Sequence, residues 1–266
     1  MTSKSPTAIV PPRFASPSIF MWVVVVGFAA FFIQGFMSAE VSGERLIQGA
    51  GNMGTFFAQS FPPDFTRLEP ILWAMLETLN MAVVGVTFGV ILSIPFALLC
   101  SSNTAPNAAV RWVSRMVVAT FRTIPDLIWA LIFVVAVGLG PLAGILAIIM
   151  DTIGFCARFF SERIEEIRPG PSEALTATGA GRMSVIMGAI LPESMASITA
   201  TSLYSVEKAI RSAVVLGLVG AGGIGVELST SMRMFRYDQA LTIILVILVV
   251  VIAVEQVSSA IRKRVI

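Results

Sequence analysis

Histidine is absent from this chain of 266 residues, and charged side chains make up only 13% of it. The first absence removes the commonest metal ligand and the side chain best suited to carry protons near neutral pH. Only two cysteines occur, Cys100 and Cys156, and they form no Cys-x-x-Cys pair. Both fall in or beside apolar stretches and read as small buried hydrophobes, so neither a disulfide nor a metal site is supported. The lack of charge accompanies 56% hydrophobic residues and a mean hydropathy of +0.88, whereas soluble domains carry about 25% charged residues. A soluble fold this apolar has nowhere to put its side chains. Alternating strand patterns are missing, which argues against a barrel. No Gly-x-x-x-x-Gly-Lys-Ser/Thr phosphate loop is present, so the chain does not itself bind ATP in that manner. No Ser–Lys or paired-Asp constellation points to an intramembrane enzyme. The net charge of +2 says little by itself, and no nucleic-acid partner, metal or bound cofactor is expected.

What is abundant is long apolar sequence. Stretches of about 20 residues with few charges can each cross a hydrocarbon layer about 30 Å thick. Six spans are expected, at 18–37, 71–100, 110–137, 142–160, 193–218 and 240–257, which predicts an all-α polytopic membrane protein. The first reads as a retained anchor, because the stretch is long and no Ala-x-Ala site follows it. Arg122, Pro125 and Asp126 interrupt the third and predict a kink. The expected layout is a tail at 1–17, the anchor at 18–37, an outer loop at 38–70 and a core at 71–266. The loop can be an interfacial amphipathic helix or a packed loop, and the sequence favours neither.

The distribution of positive charge orients the chain. With the N-terminus inside, Lys4, Arg13, Arg111, Arg115, Arg158, Arg163, Arg168, Arg182 and the cluster Arg262, Lys263 and Arg264 all lie on the cytoplasmic side. Only Arg45, Arg67, Arg233 and Arg236 fall outside. The expectation is a multi-pass protein of the inner or plasma membrane with both termini in the cytoplasm.

The segment 163–192 then also faces the cytoplasm. Pro169, Gly170 and Pro171 break the fourth span. Pro171 suits a first turn, and Glu173 suits the positive end of a new helix. A short small-faced helix over 174–178, a turn at Gly179 and Gly181, and a second short helix over 182–191 are expected, with Pro192 opening the next span. Such a hairpin can lie in a groove on a partner and pass the partner's movement into the membrane. An ordinary helix–turn–helix loop is the plainer reading of the same pattern.

The spacing resembles the Glu-Ala-Ala loop of ABC importer permeases. Glu173 and Ala174 match, Leu175 stands where the second Ala falls, and Gly179 sits at the expected place. Ala189-Ile190-Leu191-Pro192 follows with Ala189 in place of Ile. Glu77-Thr78-Leu79, the run from Phe121 to Asp126, Arg158 to Glu162 and Leu216 to Gly225 look like phosphonate-transport permeases. From about 72 to the C-terminus the chain is similar to the phosphonate/phosphate type of ABC importer permease, and its core to the methionine-importer type. The resemblance implies a type I ABC importer permease fold, a second copy of the chain, two cytoplasmic ATPase subunits that use ATP and Mg, and an extracytoplasmic substrate-binding protein. It assigns ATPase coupling to Glu173, Ala174, Gly179, Leu191 and Pro192.

Ionisable residues at membrane depth are functional candidates by default. Arg122 and Asp126 stand four apart, as do Glu207 and Arg211, and each couple can neutralise itself on one helix face. Asp151 lies midway along its span and can meet Lys208 across helices. Lys208 and Arg211 against Glu207 leave a positive excess, which suits passage of an oxyanion, so Asp151, Glu207, Lys208 and Arg211 are the expected translocation path. Gly220, Gly222, Gly223 and Gly225 are no dinucleotide fingerprint, because a membrane span precedes them and a polar loop is expected after them. They permit irregular backbone at membrane depth and are candidates for an outer gate. The competing function is an ion-coupled secondary transporter using Asp151 and Glu207, although no repeat between the halves is evident. Phosphonate, phosphite and phosphate stay undistinguished as substrates.

Overall fold

The computed structural model describes residues 18–39 and 42–265; the expected tail with Lys4 and Arg13 lies outside them. Every regular element among the described residues is helical. The chain divides into two compact units, Met1–Ala58 and Gln59–Ile266.

In the first unit, α1 (Ile19–Ser38) is apolar on all sides and buries no residue. A helix apolar all round suits a lipid environment rather than the rim of a soluble core. The Ser18 hydroxyl accepts from the Met21 amide at 3.3 Å and satisfies one of the free donors at the helix start. The stretch left open between helix and loop contains α2 (Gly43–Ser60), which opens with Glu44 in its first turn.

The second unit starts with α3 (Leu68–Cys100), followed by α4 (Ala108–Thr123), α5 (Asp126–Val137) and α6 (Pro141–Glu166). Then come α7 (Pro169–Ala177), α8 (Arg182–Val185), a π-helical segment (Ile186–Ile190), α9 (Leu191–Gly217), α10 (Ile224–Arg233) and α11 (Tyr237–Val265). Among the described residues, five helices are long and apolar enough to cross a membrane; α4 and α5 pass the same test together, bent by 89° at their junction, and make six when the pair counts as one span. The bend falls where the sequence predicts it. Ile124 is driven to an extended conformation (ψ 118°) by the proline after it, and Pro125 has no amide to continue the ladder.

The centre of the bundle is the parallel contact between α3 and α6. Gly85, Gly89, Ser93 and Ala97 recur every four residues along one face of α3 and are all buried. A methyl added at Gly85 lies 2.6 Å from Ile148 Cγ2, and one at Gly89 lies 2.5 Å from Thr152 Cβ. Only glycine permits so close an approach. Lipid tails are as apolar as these side chains, so the helices gain from packing and hydrogen bonding rather than from leaving water. Met81, Val86, Ile148, Ile210 and Leu216 fill one half of the core. Cys156, Phe160, Ile164, Ile190 and Ile198 fill the other. Both cysteines are free and buried, and Cys156 Sγ lies 3.1 Å from Ser205 Oγ.

Two ends of the bundle matter below. The glycine end holds the starts of α3 and α6 and the turn between α9 and α10. The hairpin end holds the α3–α4 turn, the end of α6, and α7.

The expected second short helix ending at Pro192 is corrected. Arg182–Gly217 is one continuous helical rod of 36 residues. Pro192 cannot donate to Gly188, and its ring crowds the carbonyl there. The π-helical segment immediately before it, in which the Leu191 amide bonds to Ile186 O, widens the helix at that point. The rod therefore passes the proline without breaking.

Candidate functional site

At the hairpin end, α7 begins at Pro169, whose missing amide costs nothing in a first turn. Glu173 therefore sits in the second turn, not at the helix start that the sequence suggested. Glu173 and Ala174 are exposed and Leu175 is half-buried. The Leu175 side chain lies against the π-helical segment, where a methyl on Gly188 meets its Cδ1 at 3.3 Å. Gly179 has φ +81°, a conformation glycine adopts without strain, and it turns the chain back; Gly181 has an ordinary φ of −67°. Two features escaped sequence reasoning. Arg182 Nη2 donates to Thr104 O at 2.9 Å and to Ala105 O, which ties the hairpin to the α3–α4 turn. Met183 and Met187 are 69% and 60% exposed and add an apolar surface beside α7. Leu191 is half-buried and Pro192 exposed, both at the start of α9.

The intramembrane charges sort themselves differently from the same-helix pairing considered above. Asp151 on α6 accepts from Lys208 Nζ through both carboxylate oxygens at 2.8 Å. The same ammonium lies 5.1 Å from the Phe155 ring centroid, a favourable cation–π distance. Glu207 does not pair with Arg211. It is 7% exposed and forms an ion pair at 2.9 Å with Arg262 near the end of α11. Adjacent residues on a helix point about 100° apart, which is why Glu207 and Lys208 reach different helices. Arg211 is exposed and, among the described residues, has no carboxylate within ion-pair distance. Tyr204, Lys208, Arg211, Val215 and Leu218 recur at helical spacing and form the open face of α9.

Arg122 and Asp126 do not pair either. The bend puts them on separate helices, and the Asp126 carboxylate instead accepts from the Leu127 amide at 2.9 Å. A cavity of about 650 Å³ opens beside Arg122, between α4 and α6.

At the glycine end, Gly220, Gly222 and Gly223 have φ of +88°, +88° and +72°, where other residues are strained. Gly225 serves a different need: it touches α9, and a methyl on Gly217 lies 2.6 Å from its Cα. The polar loop expected after the glycines is the helix α10. Its first amides are satisfied from α3: Glu77 accepts from the Gly223 amide at 3.1 Å, and Thr78 Oγ1 from the Ile224 amide at 2.8 Å. The Gly140 amide donates to Gly220 O at 3.0 Å. Three helices thus converge on this turn.

The family model of the binding-protein-dependent transport system inner membrane component matches residues 85–266. The chain belongs to this family. It is a permease, a membrane-spanning transport component and not an enzyme. The phosphate-import permease protein PhnE of Mycolicibacterium smegmatis is 40% identical over 209 residues, 78% of this chain. This chain spans only 39% of that protein's length. The phosphite transport system permease protein PtxC of Stutzerimonas stutzeri is 36% identical over 219 residues, 82% of this chain and 80% of that one. Among solved structures, the permease is similar to a chain of the inward-facing MetNI methionine ABC transporter. The TM-score is 0.64 at 24% identity, over 74% of this chain and 99% of that one. That likeness bears on the fold alone, which is that of a type I ABC importer permease.

Proposed function

We propose that this permease carries a phosphonate, or the related oxyanions phosphate and phosphite, into the cell as part of an ATP-driven importer. In this reading an extracytoplasmic protein delivers the substrate. Two ATPase subunits, using ATP and Mg, dock at the hairpin end. A second copy of the chain completes the pathway, and both termini lie in the cytoplasm. The observation that carries the substrate class is the open face of α9. A guanidinium at Arg211 stands exposed at membrane depth with no carboxylate partner among the described residues, and Lys208 lies one turn away. Lipid is a costly neighbour for such a group, whereas a tetrahedral oxyanion matches its fork of donors. The named relatives that transport phosphate and phosphite point the same way.

Coupling is assigned to Glu173, Ala174, Gly179, Leu191 and Pro192, because α7 packs on the π-helical segment of a rod that continues to the glycine end. A push on α7 reaches the membrane through that rod. Gly220, Gly222, Gly223 and Gly225 form the gate, where α3, α6 and α9 meet. Asp151 and Glu207 set the charge of the path rather than couple ions, since Lys208 and Arg262 already hold them.

Uptake by proteoliposomes holding the permease with its ATPase and binding protein tests this reading. Labelled phosphate should enter only with ATP and should compete with phosphite and an aminoalkylphosphonate. It should survive collapse of ion gradients. Uptake that continues without ATP and stops with an ionophore overturns it.

A further inference from the structure

The cavity between α4 and α6 is not part of the path assigned above. It extends from Cys100, Arg115 and Glu165 at the hairpin end to Arg122, with Arg158 and Glu162 along its wall. Its volume of about 650 Å³ lies within the range of roughly 300–1,000 Å³ usual for small-ligand sites.

Its depth follows from packing. The Arg122 backbone lies against Gly154, where a methyl meets the Arg122 nitrogen at 2.8 Å. At 1.5 Å per residue, Gly154 is about 20 Å from the start of α6 and about 18 Å from its end. Arg122 thus lies level with the middle of α6, farther from the hairpin end than Arg115, Arg158 and Glu165.

The charges in the cavity do not cancel. Arg115 is held in place, with Nη2 on Glu165 at 2.7 Å and Nε on Cys100 O at 2.8 Å. Arg158 pairs with Glu162 at 2.8 Å. Arg122 is exposed and has no carboxylate within ion-pair distance among the described residues. Two neutral pairs thus flank one free guanidinium. Lipid is a costly neighbour for a free guanidinium, so the arrangement calls for water and a counter-anion.

We infer that this cavity is a second oxyanion site, in which Arg122 holds a phosphate, phosphite or phosphonate group on the hairpin side of the permease. The fork of Arg122 binds two oxygens of the tetrahedral group, and Arg115 and Arg158, tied to their glutamates, shape the wall. Binding is weak, because a cargo group held tightly there cannot leave. The site deepens the functional reading above and rests on it for the identity of the anion as cargo. The headgroup of an anionic phospholipid has the same chemistry and is the other source of the anion.

The test uses the nucleotide-free complex of permease and ATPase in nanodiscs of phosphatidylcholine, titrated with inorganic phosphate. Wild type should bind saturably, with phosphite competing. Arg122→Gln should weaken this at least about tenfold, Arg122→Lys should lie between, and Arg233→Gln, beyond the cavity at the end of α10, should match wild type. Arg122→Lys keeps the charge and so reports on the site even where Arg122→Gln fails to fold. Phosphatidylglycerol that copurifies with wild type, is lost from Arg122→Gln and displaces phosphate supports the site with a headgroup as occupant. Equal phosphate affinity in wild type and both Arg122 variants, or no saturable binding, overturns it. Arg122-dependent binding in a complex that takes up no oxyanion refutes the proposed cargo and leaves the site standing. Normal uptake with unaltered binding in the variants refutes the site alone.

Discussion

Removing Arg262 should harm this permease much more than removing the glutamate it faces. Glu207 is 7% exposed and Arg262 is 28% exposed, with 2.9 Å between their charged atoms. At an effective dielectric constant of 20, that separation corresponds to about 6 kcal/mol of Coulomb attraction, set against the desolvation of both groups. The two deletions leave different residues behind. Arg262→Gln strands a carboxylate inside the bundle, at a cost of about 3–5 kcal/mol. Glu207→Gln strands a guanidinium on a long stem near a helix end, which can swing toward water, so the cost is that of losing a water-accessible pair, about 1 kcal/mol. With about 2–4 °C of melting temperature per kcal/mol for a domain of this size, Arg262→Gln should lower Tm by about 6–20 °C and Glu207→Gln by about 2–4 °C. The double variant should recover most of the loss. The two free buried cysteines, Cys100 and Cys156, permit the assay, since a thiol-reactive dye becomes fluorescent as they are exposed on heating. Equal shifts for the two single variants, or a larger one for Glu207→Gln, refute the argument that burial decides the cost.

Three further outcomes follow from other contacts. Gly89→Val should sharply reduce the amount of folded permease in membranes, because Thr152 occupies the space needed, whereas Gly170→Ala, with nothing within 4 Å, should be near neutral; quantitative blotting of membrane fractions compares them. Arg182→Ala should release the hairpin from the α3–α4 turn by removing its bonds to Thr104 and Ala105. Faster hydrogen exchange over residues 169–181 and weaker uptake are expected, and unchanged exchange refutes the tie. At the glycine end, the Thr66 amide and hydroxyl, and then Gln239, hold the Asp64 carboxyl below its ordinary value of 3.8. Its contribution is present above that value and is lost as pH falls through the lower folded one. Exchange around 61–67 should therefore rise on acidification below about pH 3.8 in wild type and be insensitive to pH in Asp64→Asn.

Membrane character, the number of spans and the bend at Pro125 could all be read from composition and local rules. These depend on length, hydropathy and the conformations a proline permits, each a property of a few neighbouring residues. The first arm of the hairpin and its turn were legible for the same reason, since Pro169 and Gly179 act on their own backbone, whereas the second arm runs on into the membrane as one rod. Partner choice was legible only in part: Asp151 and Lys208 meet across helices, as their positions allowed, but the other expected pairs did not follow spacing. On one helix, Glu207 and Arg211 looked paired by spacing, yet Glu207 turns to Arg262, 55 positions away in sequence. Arg122 lost its apparent partner because a bend reorients everything after it. The rod through Pro192 needed a π-helical turn that no residue type announces. Sequence by itself determined what must lie in lipid and where the chain must break. Tertiary structure decided which buried charges meet and which guanidiniums are left free, because ion pairs across helices depend on how the helices are rotated and offset.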